Sequence, residues 1–412
     1  MPSSLPDSPS VDKLREQARQ LQRRVRAADP DALGFLTQWH PRPDRAAPDS
    51  LALHDAQLAV ARRYGFAGWP ALVGYVETAR ALSRDPATVA EDALDPADLF
   101  CALGCLRYDE RDEPPRRDRA AALLADDPSL VHRSIWAAAT AADPDAVRRH
   151  LDRDRSLGRR AGGPRRWEPL LYLCYSRVPT GRDVGEVLEV ARVLLDAGAD
   201  PDAGFLWRGL ATPFTALTGT FGEGEQGPRR QPRHPHDVAL ATLLLDSGAE
   251  ANDGQALYNR MFTPGVEHLE LLFRHGLGGP DRGPWRRRLG DAMESPAELL
   301  DRQLHWAAEH GFTDRLELLA RHGVDVSGVE VCDRSALPDD VNAKVGGRTA
   351  LHDAAWGGDL ERIGALLAAG ADPGIADDAH GGRPLEWAEH AYQEEAAALL
   401  RRHTPDAGAP PA

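Results

Sequence analysis

Several groups of residues in this chain have side chains and spacing that invite chemistry. Gly222, Gly224 and Gly227 in FGEGEQG satisfy GxGxxG, the pattern whose amides cradle a phosphate when a strand precedes it and a helix follows. Here Glu223 and Glu225 would repel an anion and the segment runs on into PRRQPRHP, so a flexible loop is expected. Cys101 and Cys105 share a helix face at i, i+4, but two thiols make an incomplete zinc site. With Cys174 and Cys332 far away in sequence, buried free thiols are expected throughout. The histidines form no ligand set and no base–nucleophile pair: His305 and His310 in HWAAEH are five apart and off one face, and His234 and His236 sit in a loop. No nucleophile elbow, P-loop or metalloprotease signature is present. No catalytic, metal or cofactor residue is assigned, and no enzyme is expected. Arg19, Arg23, Arg24 and Arg26 on a basic N-terminal helix leave nucleic-acid binding as an alternative.

The balance of charge weighs against that alternative. Lys plus Arg number 49 and Asp plus Glu 64, a net charge of −15, which repels nucleic acid and anionic membrane alike. Only Lys13 and Lys344 are lysines, and the heavy use of Arg, Ala, Gly and Pro points to a GC-rich bacterial genome. Four cysteines are too few for a disulfide scaffold, no apolar run nears the ~20 residues of a membrane span, and MPSSLPDSPS is no signal peptide. These features predict a soluble cytoplasmic protein.

The elements that must position any site come in repeats. LLDAGADPDA (194–203), LLDSGAEAND (244–253), LARHGVDVSG (319–328) and LLAAGADPGI (366–375) share a helix end, a stopping glycine and a polar turn; LFRHGLGG (272–279) is a weaker copy. Gly198, Gly248, Gly276, Gly323 and Gly370 suit left-handed helix ends. Leu257, Leu304 and Leu351 each stand 19 residues before such a glycine. Each unit therefore reads as a short helix, a tight turn near Gly311 or Gly358, and a longer helix.

With TALHDAA at 349–355 and GAD at 370–372, the chain resembles the ankyrin-repeat family. EPLLYLC (168–174) and TPFTALT (212–218) look like degraded starts, and RPLEWAEHAYQEEAAALLRRH (383–403) like a polar C-terminal cap. The resemblance implies an all-α helical-repeat solenoid over 96–405, with insertions near 178–186, 221–236 and 324–347. A helical N-terminal module at 1–95 precedes it and a disordered tail, 406–412, follows. Within the module, Leu14, Ala18, Leu21 and Val25 line one face of a helix over 11–28, Asp49 or Ser50 caps a second, and Gly65 ends it before a restart at Trp69–Pro70. DAQLAVARRYGFAGWPAL resembles a short module found ahead of bacterial ankyrin arrays, and AADPDAL (27–33) echoes AADPDAV (141–147). Loops are expected at 109–117, 222–236 and 279–287, and a long hairpin or finger at 326–346.

In that family His305 and His352 would tie adjacent turns through hydrogen bonds, and partners bind the concave face. Carried over position by position, the contact column is Thr140, Tyr175, Gly219, Phe262, Glu309, Trp356 and His390. Turn-tip acids Asp200, Asp202, Glu250, Asp253, Asp325 and Asp372 would favour a basic partner. The expectation is a monomeric protein-interaction scaffold that binds another protein through Trp356, Phe262, Tyr175, Glu309, His390 and Asp372. No nucleic acid, membrane or cofactor is expected. An enzyme or small-ligand binder survives as a second alternative if the insertions at 222–236 and 326–346 build a pocket.

Overall fold

The computed structural model describes residues 5, 9–43, 48–333 and 336–404. The expected tail at 406–412 lies outside them, as do two residues of the expected finger. The chain is mainly helical. Four helices come first: α1 (Val11–Arg26), α2 (Pro30–Trp39), α3 (Leu53–Arg63) and α4 (Trp69–Leu82). Leu14, Ala18, Leu21 and Val25 form the buried stripe of α1, packed on α2 and α3. Asp29 caps α2 by accepting from Asp31 N–H and Ala32 N–H. The second expected cap differs: α3 starts after Ala52, and neither Asp49 nor Ser50 caps it. Helix α2, short and proline-led, was not expected, although Asp29 and Pro30 mark its start.

Next come α5 (Pro96–Gly104) and α6 (Pro114–Asp126), then a succession of pairs. These are α7 (Ile135–Thr140) with α8 (Pro144–Arg153), α9 (Pro169–Tyr175) with α10 (Val184–Asp196), and α11 (Ala216–Phe221) with α13 (Asp237–Asp246). The one-turn α12 (Gly227–Arg230) sits in the connection of the third pair. Helix α14 (Gly254–Arg260) pairs with α15 (Glu267–Arg274), and after α16 (Pro284–Leu289) comes α17 (Pro296–Glu309) with α18 (Thr313–Arg321). The last two pairs are α19 (Ala350–Gly357) with α20 (Leu360–Ala368) and α21 (Pro384–His390) with α22 (Glu394–Arg401). First helices α7, α9, α11, α14 and α17 pack in succession, as do second helices α8, α10, α13 and α15. Proline thus opens many helices, where its missing N–H is unneeded. The segments 109–117 and 279–287, expected as loops, accordingly become helical at Pro114 and Pro284.

The five stopping glycines all take left-handed backbone, φ 85–100°. The amide after each bonds the carbonyl five residues back, from Ala199 to Leu194 through Ala371 to Leu366, which satisfies the helix end. The AADP echo is conformational too, with Ala28 and Ala142 both left-handed at φ 55° and 51°.

The all-α expectation needs one addition. Strands β1 (Ser83–Arg84), β2 (Gly204–Trp207) and β3 (Pro213–Thr215) form a small sheet, β1 parallel to β2 and β2 antiparallel to β3. It joins the end of α4 to the connection between α10 and α11. The N-terminal helices share their apolar core with Leu206, Trp285 and Leu289, so they pack against the connection between α10 and α11 and against α16. Tyr75 Oη donates to Gly209 O at 2.8 Å and Trp285 Nε1 to Asp202 O at 2.9 Å across this junction.

Candidate functional site

The expected contact column divides in two. Its N-terminal half is filled by the chain itself. Thr140 and Gly219 are buried, and Tyr175 is fully buried against Trp167, Phe205 and Tyr108. Its hydroxyl donates to Thr215 O at 2.9 Å. Tyr175 is therefore a core residue, because the 204–215 hairpin folds over it. Burial pushes its phenol far above the usual range.

The 222–236 connection also packs inward, contrary to the expected flexible loop. Its amides are engaged within the chain: Gly222 N–H with Thr218 O, Glu223 N–H with Gln231 O, and Gly227 N–H with Gly224 O. A Cβ at Gly222 would lie 2.4 Å from Pro232 O at φ 61°, so glycine serves close packing and a left-handed bend. Buried Glu223 accepts from Thr263 Oγ1 at 2.6 Å and pairs with Arg260 and Arg233.

The C-terminal half of the column carries side chains that reach the surface. Phe262, just past α14, lies 5.3 Å edge-on from Tyr258 and 5.2 Å edge-on from Trp306. Trp306 stacks on His310 at 4.0 Å, and His310 Nδ1 bonds Trp306 O at 2.9 Å. Phe262, Trp306 and His310 are half-buried and Glu309 is exposed. The Tyr258 hydroxyl donates to Glu225, and burial with that carboxylate pushes its pKa up to about 12. Sequence reasoning missed Trp306 and His310 as members of this group. Their signal was the i, i+4 spacing on α17.

In the last pairs, Trp356 is half-buried, edge-on to Trp387 and stacked on His390 at 5.8 Å. Burial, followed by the charge of Arg230, lowers the His390 pKa. Asp372 is exposed, and its carboxylate accepts from Gly374 N–H at 2.8 Å in its own turn. His352 is buried and acts as the family pattern implies. Its Nδ1 accepts from Thr349 N–H at 3.1 Å, which places the proton on Nε2, 3.1 Å from Gly382 O of the next pair. His305 does not take that role: it is exposed. Gln303 replaces it, donating to Leu257 O at 3.1 Å, because α17 starts earlier and turns a different face inward.

Two turn-tip acids are not surface groups either. Asp202 and Asp253 are buried beside Glu250, Asp281 and Trp285 in a shallow cleft. Their oxygens close local structure, Asp202 accepting from Glu250 N–H and Asp253 from Ala256 N–H, each at 2.8 Å. Burial pushes Asp202 up to about 7. This cleft is not built by the 222–236 or 326–346 insertions. Among the described residues no group of three His, Cys, Asp or Glu is placed to hold a metal. Cys101, Cys105 and Cys174 are buried, with burial pushing Cys105 up to about 11 and Cys174 to about 12, so they are poor nucleophiles. Cys332 departs from expectation: it is exposed.

The N-terminal guanidiniums are paired within their own region. Arg19 and Arg23 meet Glu16, Arg24 meets Asp29, and Arg26 donates to Leu51 O at 2.8 Å. No helix among the described residues is long and apolar enough to cross a membrane. No curated protein matches the chain. The ankyrin-repeat family model matches residues 346–378, which hold α19, α20, His352 and the Gly370 turn, so the chain carries an ankyrin repeat there.

Proposed function

We propose that this protein is a monomeric interaction adaptor whose helix pairs form an ankyrin-type array over 96–405. Residues 1–95 are a module docked against its side. It binds a partner protein through the C-terminal half of the contact column. The observation that supports this reading is the half-exposed aromatic group Phe262, Trp306 and His310, flanked by the carboxylates of Glu225 and Glu309. Aromatics supply desolvated contact area at low entropic cost. The flanking acids, with the −15 net charge, favour a basic partner surface. Trp356, His390 and Asp372 extend the surface, while Tyr175 drops out. Four free cysteines fit a reducing cytoplasm.

The test is capture from native lysate by the intact chain and by a Phe262→Ala, Trp306→Ala variant, followed by affinities for the identified partner at two salt concentrations. Loss of about 30-fold or more in the variant is expected for two hot-spot aromatics, with weaker binding at high salt. A partner held equally by both proteins would remove this face.

A further inference from the structure

Among the described residues, five interhelical turns place a left-handed residue immediately before the following helix's N-cap: Ala28, Ala142, Gly311, Gly358 and Tyr392, at φ 55°, 51°, 62°, 68° and 57°. That conformation is strained for any side chain and most so for a bulky one. Tyr392 therefore holds an aromatic ring where neighbouring repeats have glycine or alanine, and residues kept in such strain cluster at binding sites.

The ring has an occupant. Arg230, on the α11–α13 connection and 160 residues before His390, brings its guanidinium carbon to 5.3 Å from the Tyr392 ring centre. Its Nε donates to His390 O at 3.0 Å and its Nη1 to Glu110 O at 2.6 Å. Nη2 lies 3.5 Å from His390 Nδ1 and 3.8 Å from Glu113. The side chain is 5% exposed. A flat guanidinium donates in its plane while its face meets a ring, which an ammonium does not do. The connection itself is tied elsewhere, since Arg117 donates to the carbonyls of Arg229 and Arg230.

No apolar core joins the two sides. Among the described residues, the cluster of the last two pairs takes nothing from before Val341, and the α17–α18 cluster ends at Val329. At this place the contact consists of an arginine entering a seat.

We propose that the His390–Tyr392 turn is an arginine-binding seat, filled within this chain by Arg230 and open to an arginine-bearing loop of a partner protein that displaces it. The proposal rests on the basic-partner reading above, and it adds which side chain is recognised and that the chain occupies its own site.

The test uses the full chain with Arg230→Ala, whose seat is empty, and a synthetic peptide of residues 224–236 beside the same peptide with Arg230→Ala. Amide exchange over 387–393 is read by mass spectrometry. Exchange there is expected to rise about tenfold in the variant. The arginine peptide should reverse the rise at about 1 mM, the scale of a tethered segment's effective concentration. The alanine peptide should not, and the unmodified chain should respond to neither. Tyr392→Ala, which leaves Arg230 bonded to Glu110, should raise exchange equally and abolish the peptide response. Equal protection with and without Arg230, equal response to the two peptides, or exchange rising throughout 97–323 would each overturn the seat. The capture experiment reads Phe262 and Trp306, untouched here, so either reading can fail alone.

Discussion

In the last two pairs a single imidazole joins neighbouring units: His352 bridges Thr349 to Gly382 O, and the turn beyond is closed by Asp377, which accepts from Ala379, His380 and Gly382 N–H and from Trp387 Nε1. Between α14 and α18 the same need is met by a guanidinium. Fully buried Arg315 donates to the carbonyls of Arg260, Met261, Thr263 and Gly265 and to Gln303. Arg177 does likewise for Cys174, Ser176, Gly219 and Pro232. A neutral ring completes a two-point bridge between short, regular turns. Irregular connections expose more carbonyls than a ring can reach, and a five-donor fork gathers them. Irregular connections are thus compensated by buried arginine, at the desolvation cost that lowers both arginines' pKa values to about 10.

Arg315→Ala should break the comparison most visibly. It leaves four carbonyls without their donor and a charged-side-chain cavity, so denaturant unfolding should lose about 3–5 kcal/mol, with exchange rising across the middle pairs. An unchanged midpoint would mean that the fork is dispensable. His352→Ala should lose about 1–3 kcal/mol, read as faster exchange confined to 347–383. Spread of that effect into α14–α18 would show that the two regions are one cooperative unit.

Asp202→Asn should have the smallest effect and sharpens the comparison through pH. The folded chain holds the Asp202 proton to about 7, whereas the unfolded chain releases it near the ordinary value of 3.8. Stability is therefore lost as pH rises through that window. Asparagine keeps the acceptor for Glu250 N–H and stays neutral. The variant should melt like the original at pH 4 and about 2 °C higher at pH 8; a gap independent of pH would remove the burial argument.

How much of this was legible follows from the range of each interaction. The stopping glycines and the α1 stripe are encoded within a few residues of one another and were readable from spacing, whereas the His352 bridge, which reaches Gly382 O 30 residues on, was implied by the family resemblance. Arg230, Arg315 and Arg177 each reach carbonyls roughly 40 to 160 residues away, Arg177 alongside near ones at Cys174 and Ser176, and no local period marks them. Tyr175 was misplaced because TPFTALT reads as a helix start, whereas its residues 213–215 form β3 of the 204–215 hairpin that covers the ring. Where connections are short, at Phe262, Glu309, Trp356 and His390, the expected positions reach the surface.

The sharing of one apolar core between α4 and α16 has a consequence during synthesis. Leu72 and Val76 face a core that also needs Trp285 and Leu289. At ~5–20 residues per second, about 10–40 s separate the emergence of these two segments from the ribosome. Throughout that interval the first four helices carry an incomplete core, so chaperone demand should fall on the newborn N-terminus and end once α16 arrives.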